Sequence, residues 1–252
     1  MKRHLIALDL DGTLLYDWAT LDEKTKQYLK HIKSLGHELV IATGRPHRSS
    51  IRYYDALELD TPLINYNGGL ITWESNPDFE EVSIRLDRDK VVDIFTKNAD
   101  NIENAFCEIK DDIYLLEESE DIVDLLHFFG AAKLHVGAFS DTLPEDTNGC
   151  IIVAKKGHAQ AVEDYVAKHY EGEIMTRNWG NEYRSVLELF SPLTNKGRAL
   201  AHVANTLGIP RERTIAFGDG HNDLELLEYA NIGVAMKNSH PDLKAVADII
   251  SP

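Results

Sequence analysis

The feature that most constrains the fold of this chain is the alternation of strand and helix patterns in its first third. Leu5–Leu10 is an apolar run of strand length, and a helical pattern follows it. The apolar positions of that helix are Leu21, Tyr28, Leu29, Ile32 and Leu35. Thr20 and Glu23 have the spacing of a capping box at its start, and Gly36 marks its end.

The same alternation continues and then returns in the last quarter of the sequence. "HELVIATG" predicts a second strand, Pro46–Leu57 a second helix, and "PLINYNGG" a third strand. Helix and strand patterns alternate again through "KGRALAHVANTLG", "TIAFGD", "NDLELLEYA", "IGVAM" and "PDLKAVA". Such alternation is typical of a parallel sheet with helices on both faces. The sequence therefore predicts an α/β fold with a doubly wound, Rossmann-like core.

The middle of the chain has a different pattern. Helical stretches at 89–98 and 158–170 are interspersed with short strand candidates such as "NAFCEI", "IYLL" and "CIIVA". A segment of roughly 100 residues is a normal size for a compact domain. We therefore expect a discontinuous core of residues 1–85 and 185–252, interrupted by an inserted α+β cap domain of residues 86–184.

The charge balance restricts the classes of partner. The 42 acidic and 26 basic side chains give a formal net charge of −16, which would repel nucleic acid or an anionic membrane. A small anionic substrate is compatible with this charge if a metal ion or a local group of basic side chains reverses the field at its site. No obligate protein partner is evident in the sequence.

Cysteine usage and hydropathy indicate the compartment. Cys107 and Cys150 are far apart and outside any CxxC pair, so we expect neither a disulfide framework nor a zinc site. No segment reaches the ~20 apolar residues that span a bilayer, and Asp9 interrupts the first apolar run before it has the length of a signal-peptide core. We therefore expect a soluble, cytoplasmic protein.

Polar side chains follow the predicted strands where each strand ends. They are Asp9 and Asp11 after the first strand, Thr43, Gly44 and Arg45 after the second, and Asp219, Asn222 and Asp223 after "TIAFG". Lys196 lies just inside the helix that precedes that last strand. The carboxyl ends of parallel strands meet at one sheet edge, where ligands bind. Carboxylates, an ammonium group, a hydroxyl and backbone N–H groups at that edge are the components of magnesium-assisted phosphoryl transfer.

Four motifs carry a family resemblance. "DLDGT", "ATGR", "NKGRAL" and "FGDGHNDLELL" resemble, in order and rough spacing, the four motifs of the haloacid dehalogenase superfamily. The final segment from "GDGHND" to "VADII" is similar to that of its Cof-type phosphatases, which insert a large α/β cap between the second and third motifs. The resemblance covers nearly the whole core. In the cap it rests on the position and size of the insertion and not on motifs.

The resemblance implies two roles for the first pair of carboxylates. Asp9 would be the nucleophile that attacks phosphorus and forms an aspartyl-phosphate. Asp11 would be the general acid and base, which protonates the leaving oxygen and then takes a proton from water. The two roles require different surroundings: Asp9 ionised beside the metal, and the Asp11 side chain held off it.

The resemblance also implies a metal site. Mg²⁺ would be held by the Asp9 carboxylate, the Asp11 backbone carbonyl and Asp219, with Asp223 either ligating the ion or orienting its ligands.

The implied phosphate site consists of Thr43, Gly44, Lys196 and Asn222. Thr43 and the N–H groups after it would hydrogen-bond phosphate oxygens, Lys196 would offset charge on the transferring group, and Asn222 would help to position it. Lys237 occupies a position at which family members usually have glycine. Arg45 and Arg48 could either meet a distal anion of the substrate or lie on a solvated helix face.

The predicted function is a magnesium-dependent phosphatase for small phosphorylated metabolites, such as sugar phosphates. A phosphotransferase or phosphomutase that uses the same aspartyl-phosphate is an alternative, because the outcome depends on whether water or a second hydroxyl reaches the intermediate. A second alternative is a non-catalytic phosphate-binding module or a receiver domain, although receivers are about half this length and would leave Asp11 without a role.

Overall fold

The structure, a computed structural model, describes residues 2–15, 17–123, 125–126, 132–180 and 185–252. The chain divides into two compact units. The unit that we call the core domain comprises Met1–Arg45, Ser50–Val82 and Thr194–Pro252. The other unit, the inserted domain, comprises Pro46–Ser49 and Ser83–Leu193.

The strands are β1 (Leu5–Leu8), β2 (Glu38–Ile41), β3 (Leu63–Asn65), β4 (Leu70–Thr72), β5 (Val82–Ser83), β6 (Ile102–Ile109), β7 (Asp112–Leu115), β8 (Leu134–Val136), β9 (Gly149–Ala154), β10 (Met175–Asn178), β11 (Ser185–Phe190), β12 (Thr214–Gly218), β13 (Ile232–Ala235) and β14 (Ile249–Ile250). The α-helices are α1 (Glu23–Ser34), α2 (His47–Ala56), α3 (Arg88–Lys97), α4 (Phe139–Thr142), α5 (Ala159–His169), α6 (Lys196–Thr206), α7 (Leu224–Tyr229) and α8 (Pro241–Val246).

A parallel sheet forms the centre of the core domain. Its strand order is β14-β13-β12-β1-β2, and all of its pairs are parallel. A parallel bridge between Ala42 and Ile64 connects the β2 edge to β3, which belongs to a small sheet of β3, β4 and β5. The predicted fold class, a doubly wound α/β core with an inserted α+β domain, is thus confirmed.

The two faces of the parallel sheet bury different sets of side chains because successive residues of a strand point in opposite directions. Leu5 and Ala7 of β1 pack in a cluster with apolar residues of α6, α7 and α8. Ile6 and Leu8 pack on the other face in a cluster with residues of α1 and α2. Both faces are covered at β1, so β1 is a buried apolar run without polar alternation.

The inserted domain contains a six-stranded sheet of order β10-β11-β9-β6-β7-β8. Its pairs are antiparallel except for β7 with β8. Helices α3 and α5 pack on one face of this sheet. Cys107 and Cys150 face each other on β6 and β9, with their Sγ atoms 3.6 Å apart and both thiols free.

Two details differ from the sequence-based expectations. Asp22, not Thr20, caps α1, because the Asp22 side chain accepts a hydrogen bond from the Thr25 N–H at 2.9 Å and Glu23 is already helical. The inserted domain also extends to Leu193, because β11 pairs with β9 and β10 in its sheet. The predicted boundary residue, Arg184, lies outside the described residues.

In the part of the chain that the structure describes, no helix combines the length and the apolar character needed to cross a membrane.

The close packing of α6 against α7 gives a stability prediction. A Cβ atom at Gly197 would overlap the backbone carbonyl of Glu225, so α7 leaves no space for a side chain there. A glycine-to-alanine change inside a helix usually stabilises it by roughly 0.5–1 kcal/mol. We expect Gly197→Ala instead to lower the free energy of unfolding by about 1–3 kcal/mol, as overpacked cores do.

Urea denaturation measures this difference, with Arg198→Ala at the exposed neighbouring position of α6 as the control. A Gly197→Ala protein as stable as the wild type would show that the two helices are not packed as described.

Candidate active site

The carboxyl ends of β1 and β12 carry two of the predicted site residues. These strands are neighbours in the parallel sheet, with Leu8 opposite Phe217, and Asp9 and Asp219 directly follow their last residues. The chain continues from β1 to β2 on one side, whereas β12, β13 and β14 lie on the other side. Strand order therefore reverses between β1 and β12, which is where open α/β sheets bind ligands.

Lys196 is the first residue of α6, and its side chain is fully buried. Asn195 fixes the start of the helix by accepting a hydrogen bond from the Arg198 N–H at 2.7 Å. Lys196 Nζ donates to Asp9 Oδ1 and to Asp223 Oδ1, at 2.6 Å in both cases. Burial alone lowers the pKa of Lys196, but the charges and hydrogen bonds of the two carboxylates outweigh it and raise the pKa above that of an ordinary lysine.

The region around Asp9 carries more negative charge than Lys196 offsets. Burial raises the pKa of Asp9 well above its usual value, the charge of Asp223 raises it further, and Lys196 acts in the opposite direction. Burial also raises the pKa of Asp219. Carboxylate oxygens of Asp9, Asp219 and Asp223 all lie within 4.8 Å of one another.

The chemistry of these donors fits a divalent cation. Carboxylate oxygens are the hard ligands that Mg²⁺ and Ca²⁺ prefer, and several buried carboxylates together need additional positive charge. The protein already engages Asp223 through both oxygens, because Oδ1 accepts from Lys196 and Oδ2 accepts from the N–H groups of Asp219 and Gly220, each at 3.0 Å. Asp223 therefore also holds the loop after β12 and the lysine in place.

The loop after β1 approaches Asp219 closely. Gly12 has a φ of +80°, and a Cβ atom there would overlap the Asp219 carboxylate, so glycine is required at this position. Thr13 Oγ1 donates to Asp219 Oδ1 at 2.9 Å, and Asn238 Nδ2 donates to Oδ2 at 3.2 Å. Asn238 thus faces the site even though Lys237 replaces the family's usual glycine.

Asp11 is held apart from these carboxylates by Arg45. Arg45 Nε donates to Asp11 Oδ2 at 2.8 Å, and Nη2 donates to Asp11 Oδ1, which makes a two-pronged ion pair. Arg45 is 4 % exposed and its guanidinium group is paired with Asp11, so it does not lie on a solvated helix face. The sequence feature that indicates this pairing is the position of Arg45 just after β2, because β2 lies beside β1 in the sheet.

Thr43 and Gly44 form the start of the loop after β2. Thr43 is buried, its Oγ1 accepts a hydrogen bond from the Arg45 N–H at 3.1 Å, and its own N–H donates to the Ile64 carbonyl at 3.0 Å. A Cβ atom at Gly44 would lie 3.1 Å from the Asn67 side-chain oxygen, so a side chain at residue 44 would be crowded. The hydroxyl of Thr43 and the backbone beyond it are therefore the groups that this loop can offer to an anion.

Asn222 has a partner that the sequence analysis missed. Its Nδ2 donates to Asn67 Oδ1 at 2.8 Å, and Asn67 lies in the "NYNGG" segment between β3 and β4. Arg48, the other arginine considered for anion binding, belongs to the inserted domain, where it pairs with Glu108 and donates to the Leu126 carbonyl at 2.6 Å.

The comparison with family models agrees with the fold. The model of the haloacid dehalogenase-like hydrolases matches residues 6–252. The chain belongs to this family. The matched range contains Asp9, Asp219, Asp223 and Lys196, and it includes the inserted domain.

Relatives and solved structures of haloacid dehalogenase-like hydrolases resemble the chain over nearly its whole length. One relative, the 5-amino-6-(5-phospho-D-ribitylamino)uracil phosphatase YitU of Bacillus subtilis, is 37% identical, and the alignment covers 98% of this chain and 91% of that protein. The pyridoxal phosphate phosphatase YbhA of Escherichia coli is 28% identical, with 99% and 93% covered. A haloacid dehalogenase-like hydrolase from Bacteroides thetaiotaomicron has a TM-score of 0.84 at 27% identity, with 99% and 94% covered. The chain is thus a phosphoric monoester hydrolase of the haloacid dehalogenase superfamily.

Proposed function

We propose that this enzyme is a magnesium-dependent phosphatase that hydrolyses small phosphorylated metabolites through an aspartyl-phosphate on Asp9. The observation that supports this function most strongly is the position of Lys196. Its buried ammonium group lies 2.6 Å from one oxygen of Asp9, and therefore beside the place where a phosphoryl group bound to that carboxylate would carry its charge.

The first half of the reaction uses two carboxylates with different surroundings. An oxygen of Asp9 attacks phosphorus, and the bond between phosphorus and the leaving oxygen breaks. Asp11 donates its proton to that oxygen, so the product leaves as an alcohol. In this structure both Asp11 oxygens accept hydrogen bonds from Arg45, so Asp11 must leave this ion pair before it can carry the proton.

The second half returns the enzyme to its starting state. Asp11, now ionised, takes a proton from a water molecule, whose oxygen attacks phosphorus. The bond between phosphorus and Asp9 breaks, and inorganic phosphate is released. Thr43, Gly44 and Asn222 position the phosphoryl oxygens through both halves, and Lys196 offsets their charge.

Asp9, Asp219, Asp223 and the Asp11 backbone carbonyl are the groups that would hold Mg²⁺. When bound, the ion supplies positive charge that keeps Asp9 ionised and stabilises charge on the transferring group. Thr13 and Asn238 fix both oxygens of Asp219 at 2.9 and 3.2 Å and so orient this ligand.

The inserted domain acts as a cap that excludes water and selects the substrate. The named substrates of the two relatives, an aminouracil with a phosphoribityl chain and pyridoxal phosphate, are both small phosphate monoesters with a heterocyclic ring. The first candidate for this chain is 5-amino-6-(5-phospho-D-ribitylamino)uracil, because that relative is 37% identical over nearly the whole chain.

The nucleophile and the ion can be tested together with p-nitrophenyl phosphate. We expect hydrolysis to require Mg²⁺, to stop when EDTA is added, and to fall at least about 10³-fold in Asp9→Asn, because the amide cannot form the phospho-enzyme. Asp60→Asn, an exposed change in the core domain, is the control. An Asp9→Asn enzyme with wild-type turnover would contradict the proposed function.

The acid role of Asp11 predicts a dependence on the leaving group. An alkoxide needs a proton to leave, whereas p-nitrophenolate leaves readily without one. We expect Asp11→Asn to lower kcat/KM for a sugar phosphate about 10²- to 10⁴-fold, and to lower it much less for p-nitrophenyl phosphate. Steady-state kinetics on both substrates measure the two ratios, and equal losses on both would rule out proton transfer as the role of Asp11.

A further inference from the structure

The turn between β3 and β4 has an unusual backbone. Tyr66, Asn67 and Gly68 are consecutive residues with φ of +50°, +54° and +96°. Positive φ values cost glycine little conformational energy and are tolerated by asparagine. They are unfavourable for a bulky aromatic residue such as tyrosine. Tyr66 and Asn67 are also buried. Strained backbone of this kind persists only where the surrounding structure holds it, and it concentrates at functional sites.

Backbone and side-chain hydrogen bonds connect this turn to the loop after β2. The Asn67 N–H donates to the Thr43 carbonyl at 3.0 Å, and the Tyr66 N–H donates to the Arg45 carbonyl at 3.2 Å. Asn65 Nδ2 donates to the same Arg45 carbonyl at 2.9 Å. The left-handed turn therefore supports the loop on both sides of Gly44.

The side chain of Asn67 connects that loop to the loop after β12. Asn67 Oδ1 accepts a hydrogen bond from Asn222 Nδ2 at 2.8 Å, and the same side chain lies against Gly44. Asparagine suits both requirements, because it tolerates a positive φ and its amide oxygen accepts a hydrogen bond.

We propose that Asn67 is a positioning residue, which sets the distance between the Thr43–Gly44 backbone and Asn222 so that both reach the same phosphoryl group. The proposal rests on the proposed function, in which these groups bind phosphate. Asn67 acts through Asn222 and Gly44, so its removal should weaken phosphate binding while the fold is preserved. Residues that orient binding groups in this way typically contribute a factor of about 10–100 to affinity or activity.

Asn67→Gly tests this role, because glycine adopts a φ of +54° without strain and only the side-chain contacts are lost. We expect the variant to remain folded, with a modestly lower thermal unfolding midpoint, because a buried side chain and its hydrogen bond are lost while the backbone strain is relieved. The dissociation constant for inorganic phosphate with Mg²⁺, measured by titration calorimetry, should rise about 10-fold or more, and kcat/KM for p-nitrophenyl phosphate should fall about 10- to 100-fold. Glu58→Gly is the matched control, because Glu58 is exposed and also has a φ of +54°.

A second variant tests the same hydrogen bond from its other end. We expect Asn222→Ala to weaken phosphate binding. The double variant with Asn67→Gly should bind phosphate as tightly as the single variant with the lower affinity, because the two residues act as one unit. The proposal would be overturned if the fold-losses in phosphate affinity of the two single variants multiplied in the double variant. It would also be overturned if Asn67→Gly bound phosphate with wild-type affinity.

The two proposals fail in different ways. A wild-type enzyme without magnesium-dependent turnover contradicts the proposed function, and the calorimetric phosphate affinities still decide the role of Asn67. An active wild-type enzyme whose Asn67→Gly variant binds phosphate and turns over normally contradicts only the role of Asn67.

Discussion

The buried ion pairs of Lys196 determine how the rest of the core domain is arranged. An ammonium group that is fully removed from water is tolerated only when carboxylates compensate it, and here Asp9 and Asp223 do so at 2.6 Å each. The three side chains come from the start of α6, the end of β1 and the loop after β12. Asn195 fixes the start of that helix. The contact of Gly197 with Glu225 holds α6 close to α7.

The same arrangement gives the two carboxylates in "DLDGT" the different surroundings on which the proposed function rests. Asp9 lies beside Lys196, Asp219 and Asp223, where a cation and a phosphoryl group would both be stabilised. Asp11, two residues later, extends to Arg45 instead. The turn at Gly12, with its φ of +80°, allows the chain to pass against Asp219. Identical side chains thus meet different charges within one short loop, and for the proposed proton transfer Asp11 must first leave its ion pair with Arg45.

The sequence predicted the sheet and the grouping of the acidic residues because both follow from simple rules. Apolar runs alternating with helices predict a parallel sheet, and the ends of its neighbouring strands bring Asp9 and Asp219 together. The predicted elements also placed Lys196 and Asp223 near that edge, and motif resemblance added their expected roles. The pair of Arg45 with Asp11 and the support of Gly44 by Asn67 could not be predicted, because they depend on side-chain direction and on a left-handed turn. The N-cap of α1 is Asp22 and not Thr20. The sequence did not distinguish the two because both residue types are common helix N-caps.

We expect the carboxylates around Lys196 to form a divalent cation site. Titration calorimetry with Mg²⁺ on the wild type and on Asp219→Asn tests it most directly, with thermal unfolding of both proteins to verify that the variant is folded. We expect the wild type to bind one Mg²⁺ per chain and Asp219→Asn to bind it at least about 10-fold more weakly, because a charged ligand is lost. Equal Mg²⁺ affinity in the two folded proteins would contradict it.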